Sequence, residues 1–97
     1  MKRDEVLTRL RAHEAEFKRL GVQSLYLFGS TAREEAREDS DVDLFFDHER
    51  GKFGLYELMD VKDFAAEVLG RKSDVMSRDS IHRRIRKAVE ASALQVF

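Results

Sequence analysis

Two aspartates one residue apart, Asp41 and Asp43, open the run Asp41-Val42-Asp43-Leu44-Phe45-Phe46-Asp47. If residues 40–47 form a strand, side-chain alternation places Val42, Leu44 and Phe46 on one face and Asp41, Asp43 and Asp47 on the other. Phe45 interrupts the polar face, so both faces are expected to be partly covered. Carboxylates at i and i+2 then point the same way, with α-carbons roughly 6.7 Å apart. Two such charges ~5 Å apart repel by about 3 kcal/mol at an effective dielectric near 20. A divalent cation with oxygen ligands reverses the sign of that interaction. Taken alone, the pair could equally be solvated acids at an exposed strand start.

A second feature gives the pair a use. Residues 31–40 separate it from Gly29-Ser30, which ends the apolar run Leu25–Phe28 where a helix could begin. Glycine lets a backbone approach phosphate oxygens closely, and serine can cap the helix and donate its hydroxyl. The free N–H groups of a first helical turn favour an anion. One strand–helix–strand unit thus brings an anion site beside a cation site, which suits a metal-bound triphosphate. The residues alone argue for metal-assisted handling of a phosphate compound.

The Gly29-Ser30, Asp41, Asp43 spacing resembles the signature of the polymerase-β-like nucleotidyltransferases. The segment GSTAREEAREDSDVDLFF is most similar to the minimal nucleotidyltransferase (MNT) branch, and the layout agrees over nearly the whole chain. The resemblance implies in-line transfer of AMP from ATP with two Mg²⁺ ions held by Asp41 and Asp43. It implies a third carboxylate from a neighbouring strand, for which Asp74 is the match, and triphosphate contacts from Gly29 and Ser30. Relatives commonly carry an arginine where Arg33 stands, readable as a phosphate contact, an orienting partner of an active-site acid, or a surface arginine. Two departures are visible: Glu34 stands where relatives have glycine, and Ser73 where an aliphatic residue usually precedes the acid. The resemblance also implies a partner, a HEPN-domain ribonuclease toxin silenced by AMP on one of its tyrosines. The alternatives are an antitoxin acting by contact alone, and a transferase acting on a small molecule or an RNA end.

Several elements must position these residues. Val6, Leu10, His13, Phe17 and Leu20 recur at helical spacing and predict a helix over 4–20, with His13 at the core edge. Val22–Phe28, apolar on both faces, predicts a central strand. A short helix is expected over Ser30–Glu38, and a loop over His48–Gly54 in which Arg50 or Lys52 could reach a phosphate. Leu55–Leu69 reads as a helix with Leu55, Leu58, Met59, Val61, Ala65, Val68 and Leu69 on its apolar face. Arg71–Met76 predicts a third strand. Asp47 shares the face of Asp43, but four strand residues place it roughly 13 Å away, too far for one cluster. Ser80–Ala91 predicts a last helix, buried through Ile81, Ile85, Ala88 and Val89 and basic through His82, Arg83, Arg84, Arg86 and Lys87. The tail Ser92–Phe97 is expected to return as a short strand. The fold expected is α/β: a small mixed sheet of three or four strands flanked by helices.

Composition bounds the rest. Ninety-seven residues make one small domain, 1–97, without room for a second substrate-binding domain, so a large acceptor is expected to be a partner protein. Charged residues are 38% of the chain but net charge is only −1, so no overall field draws it to nucleic acid or membrane. The absence of cysteine excludes disulfides and thiolate metal sites. A charged N-terminus and the lack of a long apolar stretch point to the cytoplasm.

Overall fold

The computed structural model describes residues 1–37, 40–51 and 53–97. The strand β1 (Val22–Phe28) forms where both faces read apolar, and it is central as expected. It pairs antiparallel with β2 (Val42–His48), which pairs parallel with β3 (Ser73–Ser77). On its other side β1 takes the two-residue β4 (Leu94–Gln95), giving a mixed four-stranded sheet in the order β3-β2-β1-β4. One face of the sheet carries Leu25, Leu27, Leu44, Phe46 and Val75, and the helical layer closes over it with Val6, Leu10, Phe17, Val61, Ala65 and Leu69. This is the small mixed sheet flanked by helices that the sequence predicts. None of the described helices is long and apolar enough to cross a membrane.

The N-terminal segment is two helices rather than one. The helices α1 (Arg3–Ala12) and α2 (Glu14–Arg19) meet at His13, whose backbone leaves helical values at φ −111° and ψ 21°. The break swings Phe17 against Phe64 and Phe97, at ring-centroid distances of 4.9 and 6.1 Å. His13 stays at the core edge, its ring edge-on to Phe64 and its Nδ1 3.1 Å from Glu16.

After β1 the chain makes a single helical turn, α3 (Gly29–Ala32), and not a helix to Glu38. Glu38, together with Lys52 of the following loop, lies outside the described residues. The helix α4 (Leu55–Leu69) has the expected bounds, and Gly70 ends it in the left-handed conformation at φ 67°. Its buried stripe runs through Val61, Ala65 and Leu69, with Leu58 packed beside it. Leu55 and Met59 fall to one side of that stripe and are 69% and 50% exposed, so Met59 is not the core residue its spacing suggests.

The largest departure is near the C-terminus. A 3₁₀ turn (Arg78–Ser80) and an irregular passage precede α5 (Arg86–Ser92), where a continuous helix from Ser80 is expected. Two observed contacts compete with that helix. Arg86 donates to the carbonyls of Asp79 and Ile81, holding the bend open at 3.1 and 3.2 Å. Ile81 is extended (φ −68°, ψ 130°) and buried, while Ile85 and Ala88 of the expected buried stripe are exposed.

Arg78 fastens this segment to the second face of the sheet. It donates to both carboxylate oxygens of Asp47, at 2.7 and 3.0 Å, and to Glu90 of α5 at 2.5 Å. Its guanidinium lies over the stacked rings of Tyr26 and Phe45, 4.8 and 5.1 Å from their centroids. Asp47 and Glu90 together hold the Arg78 proton more firmly than usual, chiefly through the Asp47 hydrogen bond. Removing the cation strands two carboxylates that are only one-third exposed. Arg78→Ala should therefore lower stability by about 2–4 kcal/mol in a urea titration, with Arg78→Lys recovering less than half because it lacks the planar fork.

Candidate active site

The sheet register brings the predicted acids together at one end of the second face. Asp43 and Asp74 are directly paired across the parallel β2–β3 ladder, and Phe28 is the partner of Asp43 on the β1 side. Val75 is buried in the helical core, so alternation turns Asp74 to the opposite face, beside Asp43. Asp41 lies two residues before Asp43, just ahead of β2, and Lys72 Nζ stands 4.0 Å from it. Asp47 is at the far end of β2, engaged by Arg78 and apart from the three acids, as its spacing implies.

Gly29 closes the site from the β1 side. Its φ of 76° is a left-handed value that side chains rarely adopt, and an added Cβ would land on the Asp43 carboxylate, 3.1 Å from its Cγ. Two constraints thus demand glycine at one position. Ser30 sits inside the first turn of α3 and not at its N-cap, which is Phe28. Its carbonyl accepts the Glu35 N–H at 2.8 Å, folding the following loop back on the turn. Arg33 pairs with Glu35 at 3.0 Å, a contact exposed on both sides. Its charge nonetheless reaches Asp43.

Asp43 is pushed above the ordinary aspartate range. Burial is the main cause, the negative charges of Asp74 and Asp41 add to it, and Arg33 opposes them. Three acids and one arginine therefore share one electrostatic environment. Among the described residues, no three acidic or histidine side chains are already drawn into a closed metal cluster. The donor chemistry still fits a hard divalent cation: the donors are all carboxylate oxygens, they repel one another, and Gly29 leaves backbone rather than side chain against Asp43. Asp74 is exposed, and Asp41 and Asp43 are half-buried. A cavity of about 630 Å³ is lined by residues of the N-terminus and by Thr31, Glu34 and Ala36, and none of the three acids lines it.

Two features escaped the sequence reading. Glu34 is in the left-handed region at φ 60°, which explains physically why a glycine suits this position. Its carboxylate is anchored 3.1 Å from Arg3. Met76 shares the face of Asp74, a placement that alternation from buried Val75 could have given.

The nucleotidyltransferase domain model matches residues 10–95. "Putative protein adenylyltransferase MJ1217" of Methanocaldococcus jannaschii is 32% identical over 94 residues, covering 95% of each chain. The protein adenylyltransferase MntA of Thermococcus cleftensis is 34% identical over 87 residues, covering 89% of this chain and 87% of its own. A solved structure described as a putative minimal nucleotidyltransferase superposes with a TM-score of 0.83 at 33% identity, over 97% of this chain and 95% of that one. A complex of a tri-AMPylated Shewanella oneidensis HEPN toxin with its MNT antitoxin shares the fold, with a TM-score of 0.59 at 17% identity over 89% of this chain and 70% of that one.

Two outcomes follow from this geometry. Glu34→Gly removes a strained φ and loses only an exposed ion pair, so thermal melting should show a Tm unchanged or raised by a few degrees, about 0.5–1 kcal/mol. In chelator, Asp43→Asn should be at least as stable as wild type at pH 7. Because the folded protein holds the Asp43 proton more tightly than the unfolded chain, acidification stabilises the wild-type fold through this group, and that contribution is lost as pH rises through the elevated folded pKa. The advantage of the Asn variant should therefore shrink as pH falls toward 4, read from urea midpoints at successive pH values.

Proposed function

The chain belongs to the nucleotidyltransferase domain family and is a nucleotidyltransferase, and from that premise we propose that it transfers AMP from ATP to a tyrosine of a HEPN ribonuclease toxin, silencing it. The observation that carries the chemistry is the Asp43–Asp74 register with Gly29 closed against Asp43. A non-enzymatic fold has no use for a half-buried carboxylate placed beside two others at a cost in free energy.

Asp41, Asp43 and Asp74 would hold Mg²⁺. When bound, the two ions supply the charge that makes the attacking hydroxyl more acidic and steadies the departing pyrophosphate. The chain's own residues position the reactants. Gly29 offers backbone without a side chain to the triphosphate, Ser30 offers its hydroxyl from the first turn of α3, and Arg33 exchanges Glu35 for a phosphate oxygen. The acceptor oxygen bonds to the α-phosphorus, the bond to the bridging oxygen of the β-phosphate breaks, pyrophosphate leaves, and the hydroxyl proton passes to solvent. No side chain acts as nucleophile; positioning and charge neutralisation provide the catalysis.

Three strands of support lead to a protein acceptor. The sequence relatives are named protein adenylyltransferases. The Shewanella complex pairs a structurally similar antitoxin with an AMP-modified HEPN toxin. A tyrosine hydroxyl titrates near pH ~10, within reach of activation by a divalent ion.

Intact mass spectrometry tests the reading. Wild type incubated with its cognate HEPN toxin, ATP and Mg²⁺ should add AMP to the toxin and abolish its ribonuclease activity. The double variant Asp41→Asn, Asp43→Asn should remain folded and leave the toxin unmodified and active. Full protection by the double variant with no mass change would establish an antitoxin that works by contact alone.

A further inference from the structure

We propose that Met76, on the outer edge of the sheet, seats the aromatic ring of the acceptor, so that this site selects a phenolic over an alkyl hydroxyl. The inference rests on the transferase reading above and adds what the acceptor must present. Cross-strand register sorts the second face of the sheet into rows. Phe28, Asp43 and Asp74 make the row that carries the chemistry, and Tyr26, Phe45 and Met76 make the row beside it. The acids are thus bordered directly by an apolar row.

Within that row Phe45 is buried, while Tyr26 and Met76 are both half-buried. Tyr26 lies beneath the Arg78 guanidinium. Met76 keeps part of its surface open, and β3 is the last strand on its side of the sheet. An incoming side chain can therefore reach the acid row over Met76 without displacing a packed ring. The rows are about 7 Å apart along the strand. A phenol laid on Met76 carries its hydroxyl, at the far end of the ring, toward Asp74 and Asp43. A serine or threonine hydroxyl stands close to its own backbone and has no ring to rest there. The polarisable, flexible thioether suits this contact, since methionine sulfur packs favourably against aromatic rings and adapts to their position.

Two measurements test the seat. The first compares kcat/KM for the HEPN partner carrying its acceptor tyrosine and for the same partner with that tyrosine changed to serine. Wild type should favour tyrosine by at least about tenfold, and Met76→Ala should bring the ratio toward unity. Because both acceptors meet the same enzyme, a general loss of folding cancels from the ratio. An unchanged ratio in Met76→Ala overturns the seat and leaves AMP transfer standing. The second needs no transfer. The chain has three methionines, so ¹³C-methyl labelling resolves Met76 from Met1 and Met59. With Mg²⁺ and ATP present, N-acetyltyrosinamide should shift the Met76 methyl signal by ring current while N-acetylserinamide should not. That shift upholds the seat whether or not the small molecule is modified, the transfer itself being read on the partner protein; no shift overturns the seat.

Discussion

Asp43 is held between Gly29 on one side and Asp74 on the other, and most of the chain is arranged so that both contacts occur. For the first, β1 must stop at Phe28 and the backbone must turn at once into a left-handed residue. For the second, β3 must run parallel to β2, which requires a crossover long enough to return the chain to the same end of the sheet. The helix α4 is that crossover, and its buried stripe makes it part of the core. The carboxyl so confined holds its proton more tightly than an ordinary aspartate, because burial and two like charges outweigh the help of Arg33. The fold therefore carries an electrostatic cost that a bound cation is suited to relieve.

The two faces of the sheet divide the labour. One face is mainly aliphatic and aromatic and is covered by helices α1, α2 and α4. The other runs from the acids through an apolar row to Asp47. Arg78 covers the Asp47 end: it neutralises Asp47 and Glu90, lies over two rings and holds α5 across β1. A cation does here what an aliphatic side chain cannot, since it serves two carboxylates and two π faces at once. The Asp47 end of this face is thereby packed, while Asp74 at the other end is exposed.

How legible this was in the sequence depended on the range of the interactions. Strand β1 and helix α4 were read correctly, because alternation and a sustained 3.6-residue stripe are local signals. Asp41 and Asp43 could be placed on one face from strand period, whereas Asp74 beside them was expected only from the family resemblance. The break at His13 was not legible, since it answers to Phe64 and Phe97, which are far away in the chain. Nor was the delayed start of α5. Its apolar spacing is helical, but Arg86 binds the carbonyls of Asp79 and Ile81 while Arg78 is drawn to Asp47, 31 residues earlier. Glu34 was noted as a departure from a common glycine, yet its left-handed backbone and its pairing with Arg3 emerge only in three dimensions.

The distribution of positive charge bears on how a triphosphate could be accommodated at all. The densest basic stretch, His82 to Lys87, follows the end of β3 that lies away from the acids, because β3 runs from Asp74 toward Ser77. Around the acids the chain offers Arg33, already paired with Glu35, and Lys72, 4.0 Å from Asp41. Against these stand three aspartates. Asp41, Asp43 and Asp74 would repel an anionic substrate brought among them without a cation. A protein that binds phosphate through side chains alone would place its arginines and lysines here. This chain places carboxylates, which a cation bound with the substrate would be suited to neutralise. That arrangement suits a nucleotide that binds together with a metal ion, the chemistry proposed above for the acid row.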